Sequence, residues 1–300
     1  MPRRSIVAVQ LTILQRGRYS TPPSAPITRL YMTRMPDRVS PFTLEQIGTS
    51  AVRFPSGAPI PSITDVSADP YARTRISKDA QVEGLLFWPQ EKKTYPSLVL
   101  LHEKWGLNAQ IKDLANRLAC EGYTVIVPNL YGRQGGMVTA NEEVAMELMS
   151  RMNETLLLQD ISSCCEFLNT RDHVKRNVHG VIGFGIGGSL AIRLACQRKR
   201  LRGAVAFYGR MISPPTVLKD LYCPVLYHQA GVDDWVPAEE VEQLRQAAKE
   251  YGKQVEIRTY DGLPHAFCNE TRKDVYRPEA ARMAWEATLA FLGDCFKADQ

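Results

Sequence analysis

From about residue 80 onward, apolar residues fall into two alternating patterns. Short runs such as Ser97–Leu101 and Val178–Ile182 are apolar almost throughout, whereas longer stretches carry apolar residues three and four positions apart. The first pattern marks strands buried on both faces, the second amphipathic helices. Strands are expected at Gly84–Trp88, Ser97–Leu101, Tyr123–Val127, Val178–Ile182, Gly203–Tyr208, Pro224–Gln229 and Gln254–Tyr260. Helices are expected at Asn108–Glu121, where Ile111, Leu114, Ala115 and Leu118 share one face, and at about 140–151, 154–169 and 238–250. A further helix follows the glycine-rich turn Gly183–Gly188 through about Gln197, and Pro278–Leu292 is a closing helix. Strands and helices alternating across short loops imply an α/β fold: a mostly parallel twisted sheet with helices on both faces. Such sheets gather their chemistry at the carboxyl ends of the strands.

The periodicity is absent before residue 80. Residues 1–36 contain no acid, and Pro41, Pro55, Pro59 and Pro61 punctuate the segment 41–65 without helical or strand spacing. The expected organisation is a flexible basic extension and linker at 1–65, one α/β domain at 66–295 and a C-terminal tail at 296–300. The extension has the composition of an organelle-targeting presequence, but a disordered tail, or a start placed ahead of Met32 or Met35, is the favoured reading. A cytoplasmic location is expected, with an organelle as the alternative.

Charge sharpens this division. Residues 1–40 hold seven Arg and one acid, Asp37, which is +6 against +5 for the whole chain. The folded part is therefore near neutral, which argues against a nucleic-acid partner. No stretch approaches the length of a membrane span. Seven cysteines with no C-x-x-C pair suit buried free thiols of a reducing compartment rather than a disulfide framework. No spacing of His102, His173, His179 or His228 suggests a metal site, and these histidines are expected to be structural.

Candidate chemistry clusters after strand ends. Gly183-Phe184-Gly185-Ile186-Gly187-Gly188 fits two signatures at once. As G-x-G-x-x-G, through Gly183, Gly185 and Gly188, it is a dinucleotide-binding turn. As G-x-nucleophile-x-G, it is the strand-to-helix elbow of an α/β-hydrolase with glycine at the nucleophile position. The dinucleotide reading lacks an acid about 20 residues further on, where Tyr208-Gly209-Arg210 stands, and at least three strands precede the turn. Asp233 and His265 then follow in the chain order of a hydrolase triad, in which the carboxylate orients the imidazole and the imidazole takes the nucleophile's proton.

Several ordered strings carry a family resemblance. They are His102-Glu103-Lys104-Trp105-Gly106-Leu107-Asn108, Gly122-Tyr123 through Pro128-Asn129-Leu130-Tyr131, the glycine turn, Phe207-Tyr208-Gly209, Asp233-Asp234-Trp235-Val236-Pro237 and Pro264-His265-Ala266-Phe267. Over about residues 80–293 the chain resembles the dienelactone hydrolase family. The resemblance implies cofactor-free hydrolysis of a small ester or lactone by a Cys-His-Asp triad with a helper Glu. It assigns Asp233 and His265 to the triad, Glu103 to the helper carboxylate, and the N–H groups of Ile186 and Lys104 to an oxyanion hole. Trp105, Trp235 and Tyr208 are expected at the substrate pocket.

Three departures accompany it. Gly185 stands at the nucleophile position, and Asn269 stands where family members that bind a substrate carboxylate carry one of two arginines. The second of these arginines, near Glu142, has no match either. Cys268, three residues after His265, is the candidate substitute nucleophile; Ser189 is expected one helical turn away from the pocket. A water in the vacated space, deprotonated by His265, is the other route to turnover. The expected function is thus an ester or lactone hydrolase of weakened or lost activity, monomeric or a small homo-oligomer. A non-catalytic small-molecule-binding protein on the same fold is the alternative, and a dinucleotide-binding protein the third.

Overall fold

In a computed structural model that describes residues 39–57, 80–211 and 214–297, eight strands form a single sheet. The strands are β1 (Ile47–Pro55), β2 (Gln81–Pro89), β3 (Tyr95–Leu101), β4 (Thr124–Pro128), β5 (Val174–Phe184), β6 (Leu201–Phe207), β7 (Val225–Val232) and β8 (Val255–Pro264). They lie in the order β1-β2-β4-β3-β5-β6-β7-β8. β1 and β2 run antiparallel to their neighbours, and every pairing from β4 to β8 is parallel. The α-helices among the described residues are α1 (Ala109–Cys120), α2 (Glu142–Ser150), α3 (Glu154–Leu168), α4 (Ile186–Gln197), α5 (Ala238–Glu250) and α6 (Pro278–Phe296).

Successive residues of the central strands feed opposite faces, as a pleated strand requires. Val99 and Leu101 of β3 pack with α3, α4 and α5, whereas Leu98 and Leu100 pack with α1 and α6. All four are fully buried, which is why Ser97–Leu101 carries no polar alternation. Local sequence fixes the helix starts. Asn108, Asn141 and Asn153 each accept a hydrogen bond from the backbone N–H three residues on, capping α1, α2 and α3.

Two expectations at the ends of the domain are corrected. The proposed linker 41–65 contains a 3-10 turn at Leu44–Gln46 and the nine-residue strand β1. As an edge strand with only Gly48 and Phe54 buried, β1 shows no apolar run. Its anchor is tertiary: Phe54 stacks on Phe167 of α3 at 4.3 Å between ring centroids. Similarly, Phe296, placed in a tail, ends α6 and is 1% exposed, with its ring against Tyr123. Residues 1–38 and 58–79 lie outside the described residues, and with them the presequence question. No helix among the described residues is long and apolar enough to cross a membrane.

Candidate active site

The carboxyl ends of β3, β5, β6, β7 and β8 bring together His102-Glu103-Lys104, Gly185, Tyr208, Asp233 and His265. β5 ends at Phe184, Gly185 turns with φ 52° and ψ −120°, and α4 begins at Ile186. This conformation is open to glycine and strained for any other residue. The turn is held by its own backbone: the Gly185 N–H donates to Phe207 O at 3.0 Å, and its carbonyl accepts from the Ser189 N–H at 3.2 Å.

The neighbouring glycines are required for a different reason. A Cβ on Gly183 would lie 2.0 Å from Gly187 O, one on Gly187 2.6 Å from Leu101 O, and one on Gly209 2.4 Å from Ser189 N. Backbone packing thus explains the glycine-rich string without any phosphate. At Gly185 a Cβ meets no collision. A Cβ there would stand 3.8 Å from Cγ of Glu103 and 3.9 Å from Nε2 of His265, ordinary contact distances. The missing side chain would point between the two groups that the sequence placed around it.

His265 is oriented from three sides. Nδ1 lies 2.8 Å from Asp233 Oδ2, and the rings of Tyr208 and Trp235 stand edge-on to the imidazole at 4.9 and 5.2 Å. The Asp233 side chain is 2% exposed. Its other oxygen accepts from the N–H groups of Trp235 and Val236, both at 2.9 Å. With Asp233 as acceptor, Nδ1 carries the proton and Nε2 presents a lone pair towards Gly185. Nε2 is therefore placed as a base.

Glu103 is held by side chains from two other loops. Tyr208 donates from its hydroxyl to Oε1, and Asn269 from Nδ2 to Oε2, each at 3.0 Å. The carboxylate joins the loops after β3, β6 and β8, and it is buried. Burial and the nearby Glu103 hold the Tyr208 hydroxyl well above the usual tyrosine range. Tyr208 itself is fully buried, so it supports the site from behind rather than lining a pocket. Asn269, noted in the sequence only for not being arginine, and Tyr208 were both missed as partners of Glu103. Neither local spacing nor residue type signals such a contact between separate loops.

The loop after β3 is fixed by two further bonds. His102 Nε2 accepts from the Leu130 N–H at 3.0 Å, which leaves Nδ1 protonated to donate to Glu103 O at 2.6 Å. Burial pushes this imidazole down to about 4, so it is neutral. Tyr131 donates to Lys104 O at 2.8 Å. Lys104 pairs with Glu142 of α2, and its ammonium lies 4.9 Å from the centre of the Trp105 ring, with Arg272 5.7 Å from that ring. Trp105 is consequently buried, enclosed by cations as well as loop. Ile186 is the first residue of α4, whose N–H has no acceptor within the helix.

Cys268 is partly buried and packs beside the hydrophobic cluster of α1 and α6. Burial, then Glu103 and Glu270, push its thiol well above the ordinary cysteine range. An activated nucleophile requires the opposite shift. Among the described residues no group of His, Cys, Asp and Glu could hold a metal.

A mostly parallel sheet with a nucleophile elbow after its fifth strand and a His–Asp pair after its last two defines an α/β-hydrolase. The chain belongs to the dienelactone hydrolase family, whose sequence profile matches residues 82–296. "Protein usf" of Aquifex pyrophilus is 31% identical over 204 residues, which cover 66% of this chain and 87% of that protein. A Yersinia pestis protein named "Putative carboxymethylenebutenolidase" is 30% identical over 211 residues, 67% of this chain and 78% of its own length. Among solved structures, a "Putative Dienelactone Hydrolase" from Klebsiella pneumoniae superposes with a TM-score of 0.69 at 25% identity, covering 82% of this chain and 99% of that one.

Proposed function

We propose that this protein hydrolyses small esters or lactones by a water molecule activated at His265, without a covalent enzyme intermediate. The observation that carries the reading is the pairing of a Nε2 lone pair with the open side-chain position of Gly185, 3.9 Å apart. An oxygen about 1 Å from that position towards the ring comes within hydrogen-bond reach of Nε2. His265 takes the proton of this water as its oxygen attacks the carbonyl carbon, and Asp233 stabilises the resulting imidazolium. The N–H groups of Ile186 and Lys104 receive the developing oxyanion, the first as a helix N-terminus aimed at negative charge. His265 then returns the proton to the leaving alkoxide. Asn269 is engaged with Glu103, which favours uncharged substrates over a dienelactone carboxylate.

The test is a panel of aryl esters and lactones offered to the purified protein and to His265→Ala. The expected result is turnover that falls about 100-fold or more in the variant, the usual contribution of a positioned base. Equal rates for the two proteins would refute the proposal.

A further inference from the structure

We infer that the same site transfers acyl groups to small primary alcohols, so that water is one acceptor among several. The inference rests on the hydrolytic reading above and extends it to a second activity. In a site with a tethered nucleophile, the side chain occupies the attacking position and the acceptor enters only after an acyl-enzyme has formed. Here the position is unoccupied by any side chain, since residue 185 is glycine. It is bounded by Cβ and Cγ of Glu103 and by Nε2 of His265 at 3.8–3.9 Å. These nearest contacts are aliphatic carbons on one side and one hydrogen-bond acceptor on the other. The His265 side chain is 26% exposed, so the imidazole itself reaches solvent, while Gly185 beside it is buried. A hydroxyl on an unbranched carbon offers Nε2 the same O–H as water with little bulk behind it, whereas a tertiary alcohol brings three branches to be fitted beside the same groups.

The step balances without any further reactant. The alcohol oxygen forms a bond to the ester carbonyl carbon as its proton passes to Nε2. Collapse of the tetrahedral intermediate breaks the bond to the original alkoxide, which takes that proton from Nε2 and leaves. One ester is exchanged for another, and nothing is oxidised or reduced. The acceptor enters before any bond to the acyl group breaks, so the kinetics are those of a ternary complex.

The experiment follows p-nitrophenyl acetate in buffer containing increasing methanol, with nitrophenolate and methyl acetate both quantified. The expected result is total nitrophenolate release rising linearly with methanol, without an initial burst, and methyl acetate accounting for the increase. Tert-butanol at equal molarity gives no ester, and His265→Ala lowers both products about 100-fold or more. A burst, or products that partition while total release stays constant, would reveal a covalent acyl-enzyme and overturn the inference. Hydrolysis without methyl acetate above the His265→Ala level would also overturn it, leaving the hydrolase reading intact. Methyl acetate without acetate would uphold acyl transfer and remove the hydrolase reading, and neither product would remove both.

Discussion

Asn269 donates from Nδ2 to Oε2 of Glu103 at 3.0 Å, joining the loop behind His265 to the loop after β3. Both residues are buried, so the bond is not in competition with solvent. Asn269 Oδ1 also accepts from the N–H and hydroxyl of Thr271, at 3.0 and 2.6 Å. Asn269→Ala leaves a buried carboxylate oxygen short of a donor, a loss of about 1–3 kcal/mol. A denaturant titration is expected to show a lower midpoint at unchanged slope. An unaltered midpoint would show that Glu103 finds another donor.

Gly185→Cys supplies the nucleophile that the family resemblance calls for. The added Cβ meets nothing closer than 3.8 Å, so the penalty is conformational, about 1–3 kcal/mol for a side chain at φ 52°. The expected outcome is a lower melting temperature together with faster ester cleavage. A pre-steady-state burst equal to the enzyme concentration would mark the acyl-enzyme. Absence of a burst in a folded variant would mean that Nε2 and the new sulfur are not aligned.

Asp233→Asn preserves an acceptor for Trp235 and Val236 but turns an amide towards His265 Nδ1. The imidazole is then driven to the other tautomer, and Nε2 loses its lone pair. Turnover is expected to fall on the order of 100- to 10,000-fold. Substrate affinity and melting temperature should change little, because the loop contacts survive. A comparable fall in stability would instead assign Asp233 a mainly structural role.

Acid should unfold this protein through its buried histidines. Burial holds His102 and His179 down to about 4, and His228 down to about 3, against 6.5 for an unperturbed imidazole. Below 6.5 the unfolded chain takes up protons that the folded protein refuses. Their contribution is therefore complete above that value and is lost as the pH falls towards 4. Between pH 7 and pH 5 each such group costs about 1–2 kcal/mol. Melting temperatures measured across this window should drop steeply, and His228→Gln should flatten the slope. A slope unchanged in that variant would exclude His228 as a contributor.

The fold was legible wherever burial imposed a period. The central strands show continuous apolar runs because both faces are covered, and α1 shows its stripe because one face is not. β5 begins four residues earlier than its apolar run, since the buried Val174 that starts it is followed by half-buried Lys175 and exposed Arg176 and Asn177. β1 escaped because an edge strand buries little and is ended by Pro55. At the site, Gly185, Asp233 and His265 were legible from motif order, and the structure places them around one point. The bonds that Tyr208, Asn269 and Tyr131 make were not, because they are hydrogen bonds between loops from distant parts of the chain. Such contacts depend on sheet order, which residue types alone do not encode.

The open contacts around Gly185 also bear on how this chain can change over generations. Its neighbours are fixed by backbone collisions, so substitution there is eliminated with the fold. Gly185 alone among the glycines of that turn tolerates a side chain sterically. Where its codon ends in a pyrimidine, one base change gives cysteine or serine. With such a codon a tethered nucleophile is a single mutational step away, at a position that Nε2 of His265 already faces.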